Sequence, residues 1–147
     1  MSLALAAALL AAASPAETPR AFVERLYAGY RDPDYSPLSH PDRVFAAPLV
    51  AAIREDARLS REEVGYMDAD PLCQCQDPAG LRPRIGEVRR SGRARAAVGV
   101  RIDFGSDRRD LSLSLVRTAA GWRVADVATA DEPSLLESIR RFNRRRR

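Results

Sequence analysis

The residues able to do chemistry gather in one stretch, Gly65 to Asp77, which holds both cysteines and the aspartates Asp68, Asp70 and Asp77. A Cys73–Cys75 bridge would close a ring over one intervening residue. Its Cα separation is expected toward the upper part of the usual range of about 4.4–6.8 Å. Strain in so small a ring raises the reduction potential, so such a link would be labile rather than a strong staple. Two half-buried thiols without chemistry, a redox pair, and pairing with another chain are the alternatives. Metal ligation fits poorly. A calcium loop starting at Asp68 would put Cys73 where glycine belongs and Ala79 where the bidentate glutamate belongs. A structural zinc site needs four nitrogen or sulfur ligands, and this stretch offers two, with His40 the single histidine of the chain. We therefore expect no metal and no cofactor. The plainer reading has Asp68 and Asp70 organising an Asx-type turn before Pro71, while Gln76 and Asp77 bond backbone groups. As a surface for recognition, the stretch offers Tyr66, Asp70, Cys73, Gln76 and Asp77.

Other candidates are more scattered. His40 could act as a base oriented by Asp34 or Asp42, but Ser39-His40-Pro41 reads better as an exposed loop ahead of a helix, with Ser39 capping. No nucleophile elbow, phosphate-cradling glycine loop or cofactor fingerprint is present, and no catalytic residue is assigned. Trp122 reads as a core aromatic and Asp126 as a strand-end turn former, with ligand binding the rival role for each. Tyr27, Tyr30, Tyr35 and Tyr66 could line a cavity mouth, although tyrosines at helical spacing usually pack and keep a wet hydroxyl. Arg140, Arg141, Arg144, Arg145, Arg146 and Arg147 form a basic tail able to bind polyanions, or simply a frayed, solvated end. Few aromatics are available to stack bases, so an anionic envelope component is a better partner for it than nucleic acid.

These residues need elements to hold them. Thr18-Pro19 is a cap and first helical position, and Phe22, Val23, Leu26, Tyr27 and Tyr30 recur at helical spacing, predicting a first helix that ends near Tyr30. Pro33, Pro37 and Pro41 predict an irregular loop. Val44, Phe45, Leu49, Ala52 and Ile53 mark a second helix to about Arg58, with Pro48 either kinking it or sitting in its first turn. Ser60-Arg61-Glu62-Glu63 fits a capping box and predicts a short third helix. Beyond the cysteines the period changes from 3.6 to 2. Ala94, Ala96, Val98, Val100, Ile102 and Phe104 alternate with polar or small residues, as do Leu111, Leu113 and Leu115. With Arg84 to Arg90 before them and Trp122 to Val127 after, they predict a four-stranded antiparallel meander, one face buried under the helices. A last helix covers Ser134 to Phe142.

Leu3 to Ala13 is an unbroken apolar run followed by Ser14-Pro15-Ala16. It is too short for a span of about 20 residues and reads as the core and cleavage site of an export signal, without the usual basic start. An alanine-rich helix packed on the domain is the alternative. Residues 1–16 are thus expected to be removed, leaving one domain over 17–139 and the arginine tail over 140–147, with no transmembrane segment after cleavage. The net charge of +4 is carried by that tail, since the rest of the chain is slightly acidic. All of the basic residues except the histidine are arginine, from which no partner follows.

Helices followed by a curved meander that ends in Gly-Trp-Arg-Val-Ala-Asp-Val resemble the α+β cone of nuclear transport factor 2-like proteins, also grouped as cystatin-like. Asp68-Ala69-Asp70-Pro71-Leu72-Cys73-Gln74-Cys75-Gln76-Asp77 ahead of the meander, with Trp122 and Asp126 on its last strand, resembles the bacterial envelope family catalogued as domain of unknown function 3828. The family's core pattern falls on Asp70, Pro71, Cys73, Gln76 and Asp77, with Cys75 an addition. The resemblance covers about Pro19 to Ile139 and implies this fold and an exported, periplasmic or secreted, protein. The expectation is a small non-enzymatic binding or interaction protein with an envelope protein or small ligand as partner. The rivals are an enzyme using the cone's cavity, a hydrolase or isomerase as the fold class implies, and a thiol redox protein using Cys73 and Cys75.

Overall fold

A computed structural model describes residues 16–61 and 63–147. The expected export signal, residues 1–16, therefore lies outside the described residues, save for Ala16. Helix α1, Pro19–Ala28, begins where Thr18 accepts the Ala21 amide at 3.1 Å. It buries Phe22, Val23, Leu26 and Tyr27 and tightens into a 3-10 turn, Gly29–Arg31. After the proline loop comes the short α2, Pro41–Val44, and then α3, Ala47–Ser60. The expected single helix from Val44 is thus split. Phe45 is extended and bridges Val124, and the Ala46 amide donates to the Val124 carbonyl at 2.8 Å. Pro48 falls in the first turn of α3, where its missing N–H costs nothing.

The short third helix is not formed among the described residues. Ser60 closes α3 instead of opening a new helix, because Arg61 turns to φ +43° and breaks the i to i+4 ladder. Residues 63–81 then run irregularly to β1.

Strands β1 (Arg82–Ser91), β2 (Arg95–Phe104), β3 (Asp107–Thr118) and β4 (Gly121–Ala128) pair antiparallel in the order β1-β2-β3-β4. The period-2 pattern sets the faces. Val98, Val100 and Ile102 on β2 and Leu111, Leu113 and Leu115 on β3 point into one core with Trp122, Val124 and Val127. Strict alternation from Trp122 and Val124 would aim Asp126 inward. A bulge at Ala125, opposite the Ser114–Leu115 step, puts Val127 there instead. A second bulge lies at Gly86–Glu87 on the edge strand β1, where Arg20 donates to the Ile85 and Gly86 carbonyls.

Helix α4, Leu135–Arg146, lays Leu135, Ile139 and Asn143 against the rest of the core, and Asn143 Nδ2 donates to the Ala52 carbonyl at 3.1 Å. The α+β class and the helices-then-meander order hold. The arginine tail, however, is not a frayed appendage. Arginine is a good helix former, Arg146 pairs with Glu63, and Arg147 pairs with Glu55 at 2.6 Å, so α4 continues through 140–146.

Candidate functional site

The Gly65–Asp77 stretch is held from two sides. On one, Asp56 of α3 is 2% exposed and accepts the Tyr66 amide on Oδ1 and the Met67 amide on Oδ2, each at 2.9 Å. Gly65 passes so close that a Cβ there would meet Asp56 Oδ2 and Ser60 Oγ at 2.6 Å, which explains the glycine. On the other side, Tyr27 donates to the Leu72 carbonyl and Tyr30 to Asp70 Oδ2, both at 2.7 Å. Asp70 Oδ1 accepts the Leu72 amide at 2.8 Å, the Asx turn over Pro71. Its backbone pairs with Cys75, and Gln74 N–H returns to the Asp70 carbonyl. Gln76 Nε2 reaches the Asp68 carbonyl, and Asp77 accepts the Ala79 amide.

The Cys73 and Cys75 sulfurs meet in the position of a disulfide, with Cα atoms 5.1 Å apart. This is closer than the upper part of the range expected for C-x-C. Gln74 takes φ +55°, the left-handed region, and folds the two neighbours toward each other. Cys73 is buried and Cys75 half-buried.

Tyr27, Tyr30 and Tyr35 cluster beside Asp70, with Tyr30 stacked on Tyr27 at 5.9 Å and edge-on to Tyr35 at 5.0 Å. Burial, and then the Asp70 charge, pushes all three phenols above their ordinary range. Burial likewise raises Asp70, outweighing the hydrogen bonds from Tyr30 and from the Leu72 and Cys73 amides that favour its charged form. The folded protein therefore holds the Asp70 proton more tightly than the unfolded chain does, and its contribution to stability falls as pH rises through its folded pKa. Asp70→Asn, which cannot ionise, is expected to gain stability relative to the parent between pH 3 and pH 7. Urea melts across that interval test it, and a relative loss on raising the pH would contradict it.

A cleft of about 280 Å3 opens where this segment meets the start of α4, lined by Tyr66, Asp68, Asp70 and Gln74 on one wall and Glu132 and Leu135 on the other. Tyr66 O–H donates to Glu132, and its ring lies 5.5 Å from that of Phe142. The facing wall is built by Asp126. Its Oδ1 accepts the Val127 and Leu136 amides, and its Oδ2 accepts Ser134 O–H at 2.5 Å, while Ser134 caps α4 through the Glu137 amide. The turn-forming role of Asp126 thus extends to capping a helix.

Of the expected recognition residues, Tyr66 and Asp70 line the cleft, and Cys73 is buried behind it. Gln76 and Asp77 are exposed and do not line it. Gln74, Asp68 and Glu132 join the site. His40 sits exposed at the cap position of α2, making no side-chain cap, and Ser39 does not cap either. Asp42 pairs with Arg54 at 2.7 Å rather than with His40, and Asp34 Oδ atoms make no bond to it. Trp122 is a core residue, its Nε1 donating to the Glu17 carbonyl at 2.9 Å. The inner face of the sheet is filled by Trp122, Phe22, Phe45 and Leu49. Among the described residues no group of carboxylates, cysteines and histidine converges as a metal site, and no helix is long and apolar enough to cross a membrane.

No protein-family model and no curated protein matches the chain. Among solved structures it is similar to a phospholipid-binding protein from Ralstonia solanacearum, determined in complex with a phospholipid, at 12% identity and a TM-score of 0.41. The likeness covers 64% of this chain and 47% of that one, so the chain spans about half the length of that protein.

Proposed function

We propose that this chain is an exported, non-enzymatic binding protein of the cell envelope, allied to the domain of unknown function 3828 family by the Asp70–Asp77 pattern. It takes its ligand or partner in the cleft between residues 66–74 and the start of α4. The observation that carries this reading is the cleft itself. The one segment whose composition secondary structure does not explain forms a wall of it, buttressed by Asp56 from α3 and by Tyr27 and Tyr30 from α1. Asp70 has its acceptors engaged by Tyr30 and Leu72, which leaves Asp68, and the Glu132 oxygen that Tyr66 does not engage, to meet a ligand. The chemistry that suits them is a donor-rich or cationic group, such as an amine or a basic peptide segment. In an exported chain Cys73 and Cys75 stand oxidised, fixing the Gln74 turn at the cleft wall.

A photo-crosslinking side chain at position 74, compared in living cells with one at position 93 in the distant β1–β2 turn, tests the site. A defined adduct from position 74 that disappears in Asp68→Asn/Glu132→Gln is expected. The same adducts from both positions, or an adduct that survives the double change, would remove the cleft as the binding site. Recovery of uncleaved chain in the cytoplasm alone would sink the export half of the reading.

A further inference from the structure

The end of the molecule built by the last turns of α4 carries charge that the fold does not use. Arg140 pairs with Glu137 within α4, while Arg146 with Glu63 and Arg147 with Glu55 tie the end of the helix to α3 and the segment after it. Arg141, Arg144 and Arg145 are exposed on the same turns and have no carboxylate partner among the described residues. Arg140, Arg144 and Arg147, at the i, i+4, i+7 spacing of one helix face, also line a cleft of about 310 Å3 against Pro48 and Ala51 of α3. Beside this basic end stands Val64, 76% exposed, the large hydrophobic side chain that the described fold leaves in water. Its position is set by Arg146, which donates to its carbonyl at 3.2 Å.

We propose that this end of the molecule docks on the surface of an anionic phospholipid bilayer. Guanidinium groups suit lipid phosphates by charge and by their paired N–H geometry, and three of them are free to turn outward. An exposed aliphatic side chain beside this basic end would leave water on entering the interfacial zone. A single-stranded nucleic acid would need free aromatic faces to stack on, and a duplex would meet the same charges but leave Val64 in water. The aromatic ring at this end, Phe142, is packed against Tyr66 and covered by Arg146 at 5.2 Å. The bilayer is therefore the partner that both the charge and Val64 fit. This surface uses residues outside the Tyr66–Glu132 cleft, so it stands or falls separately from the cleft reading.

Co-sedimentation of the purified chain with vesicles of phosphatidylcholine and phosphatidylglycerol, against phosphatidylcholine alone, tests the proposal. Binding to the anionic vesicles only, weakening with added salt, is expected. Arg141→Gln/Arg144→Gln/Arg145→Gln should lower the partition coefficient on the order of a hundred-fold, and Val64→Ser by several-fold. An equal change of charge on the sheet, Arg82→Gln/Arg93→Gln/Arg95→Gln, should leave it within about two-fold if the charge at α4 is what the surface reads. Equal binding to both kinds of vesicle, an equal loss in the sheet variant, or full binding by the α4 variant would overturn it. So would tight binding to duplex DNA without vesicle association. Circular dichroism on each variant keeps loss of fold separate from loss of docking.

Discussion

Asp56→Ala is expected to lower the unfolding free energy by about 3–5 kcal/mol, although residue 56 lines no part of the cleft. The carboxylate is buried and each oxygen holds one backbone amide of the segment that follows α3. Alanine would strand both amides in a space that Gly65 closes against the chain, where water cannot readily replace the lost acceptors. Asp56→Asn keeps one acceptor oxygen and is expected to lose about half as much. Trp122 is the only tryptophan, so its fluorescence during urea unfolding reports the change. A loss below about 1 kcal/mol for the alanine variant would mean that the amides find other partners and that Asp56 does not hold the segment. The consequence reaches the cleft, because Tyr66 and Met67, the residues Asp56 anchors, are part of its lining.

Trp122→Ala should destabilise the fold by a comparable amount, about 3–5 kcal/mol, with most of it arising from the cavity left among Phe22, Phe45 and Leu49. The indole is 1% exposed, and Arg90 and Arg117 lie over its ring at 6.0 and 5.9 Å. It also ties the start of the domain to β4 through the Glu17 carbonyl. Trp122→Phe retains much of the volume and loses that hydrogen bond, so a loss of about 1–2 kcal/mol is expected. Denaturation followed by circular dichroism distinguishes a packing role from a ligand-contacting one. If Trp122→Phe leaves stability unchanged yet abolishes the position-74 adduct, Trp122 belongs to the binding surface and the core reading fails.

The strands were legible because each has one apolar face, and alternation survives any tertiary context that buries only that face. Ala125 escaped this reading because a bulge adds a residue without altering composition, and it is the bulge that frees Asp126 to cap α4. Ser60-Arg61-Glu62-Glu63 satisfied the capping-box pattern, yet the left-handed turn at Arg61 and the pull of Asp56 on residues 66 and 67 overrode local propensity. Asp56 is itself marked in the sequence. It continues the Leu49, Ala52, Ile53 and Ser60 stripe of α3, and a carboxylate on a buried stripe must find donors. The pairing of Tyr30 with Asp70, and of Tyr66 with Glu132, joins residues far apart in sequence, and no local pattern announces such contacts.

The β1 bulge and the reach of Arg20 to the Ile85 and Gly86 carbonyls bear on how copies of this protein meet one another. An antiparallel sheet open at its first strand offers unpaired amides and carbonyls to any other chain, the route to strand addition and aggregation. A strand approaching β1 would find Pro83 without an N–H, two carbonyls already taken by Arg20, and a break in register at Gly86–Glu87. It would also meet Arg82, Arg84, Arg89 and Arg90, charges that a second copy would carry as well. The edge is thereby guarded against self-templating.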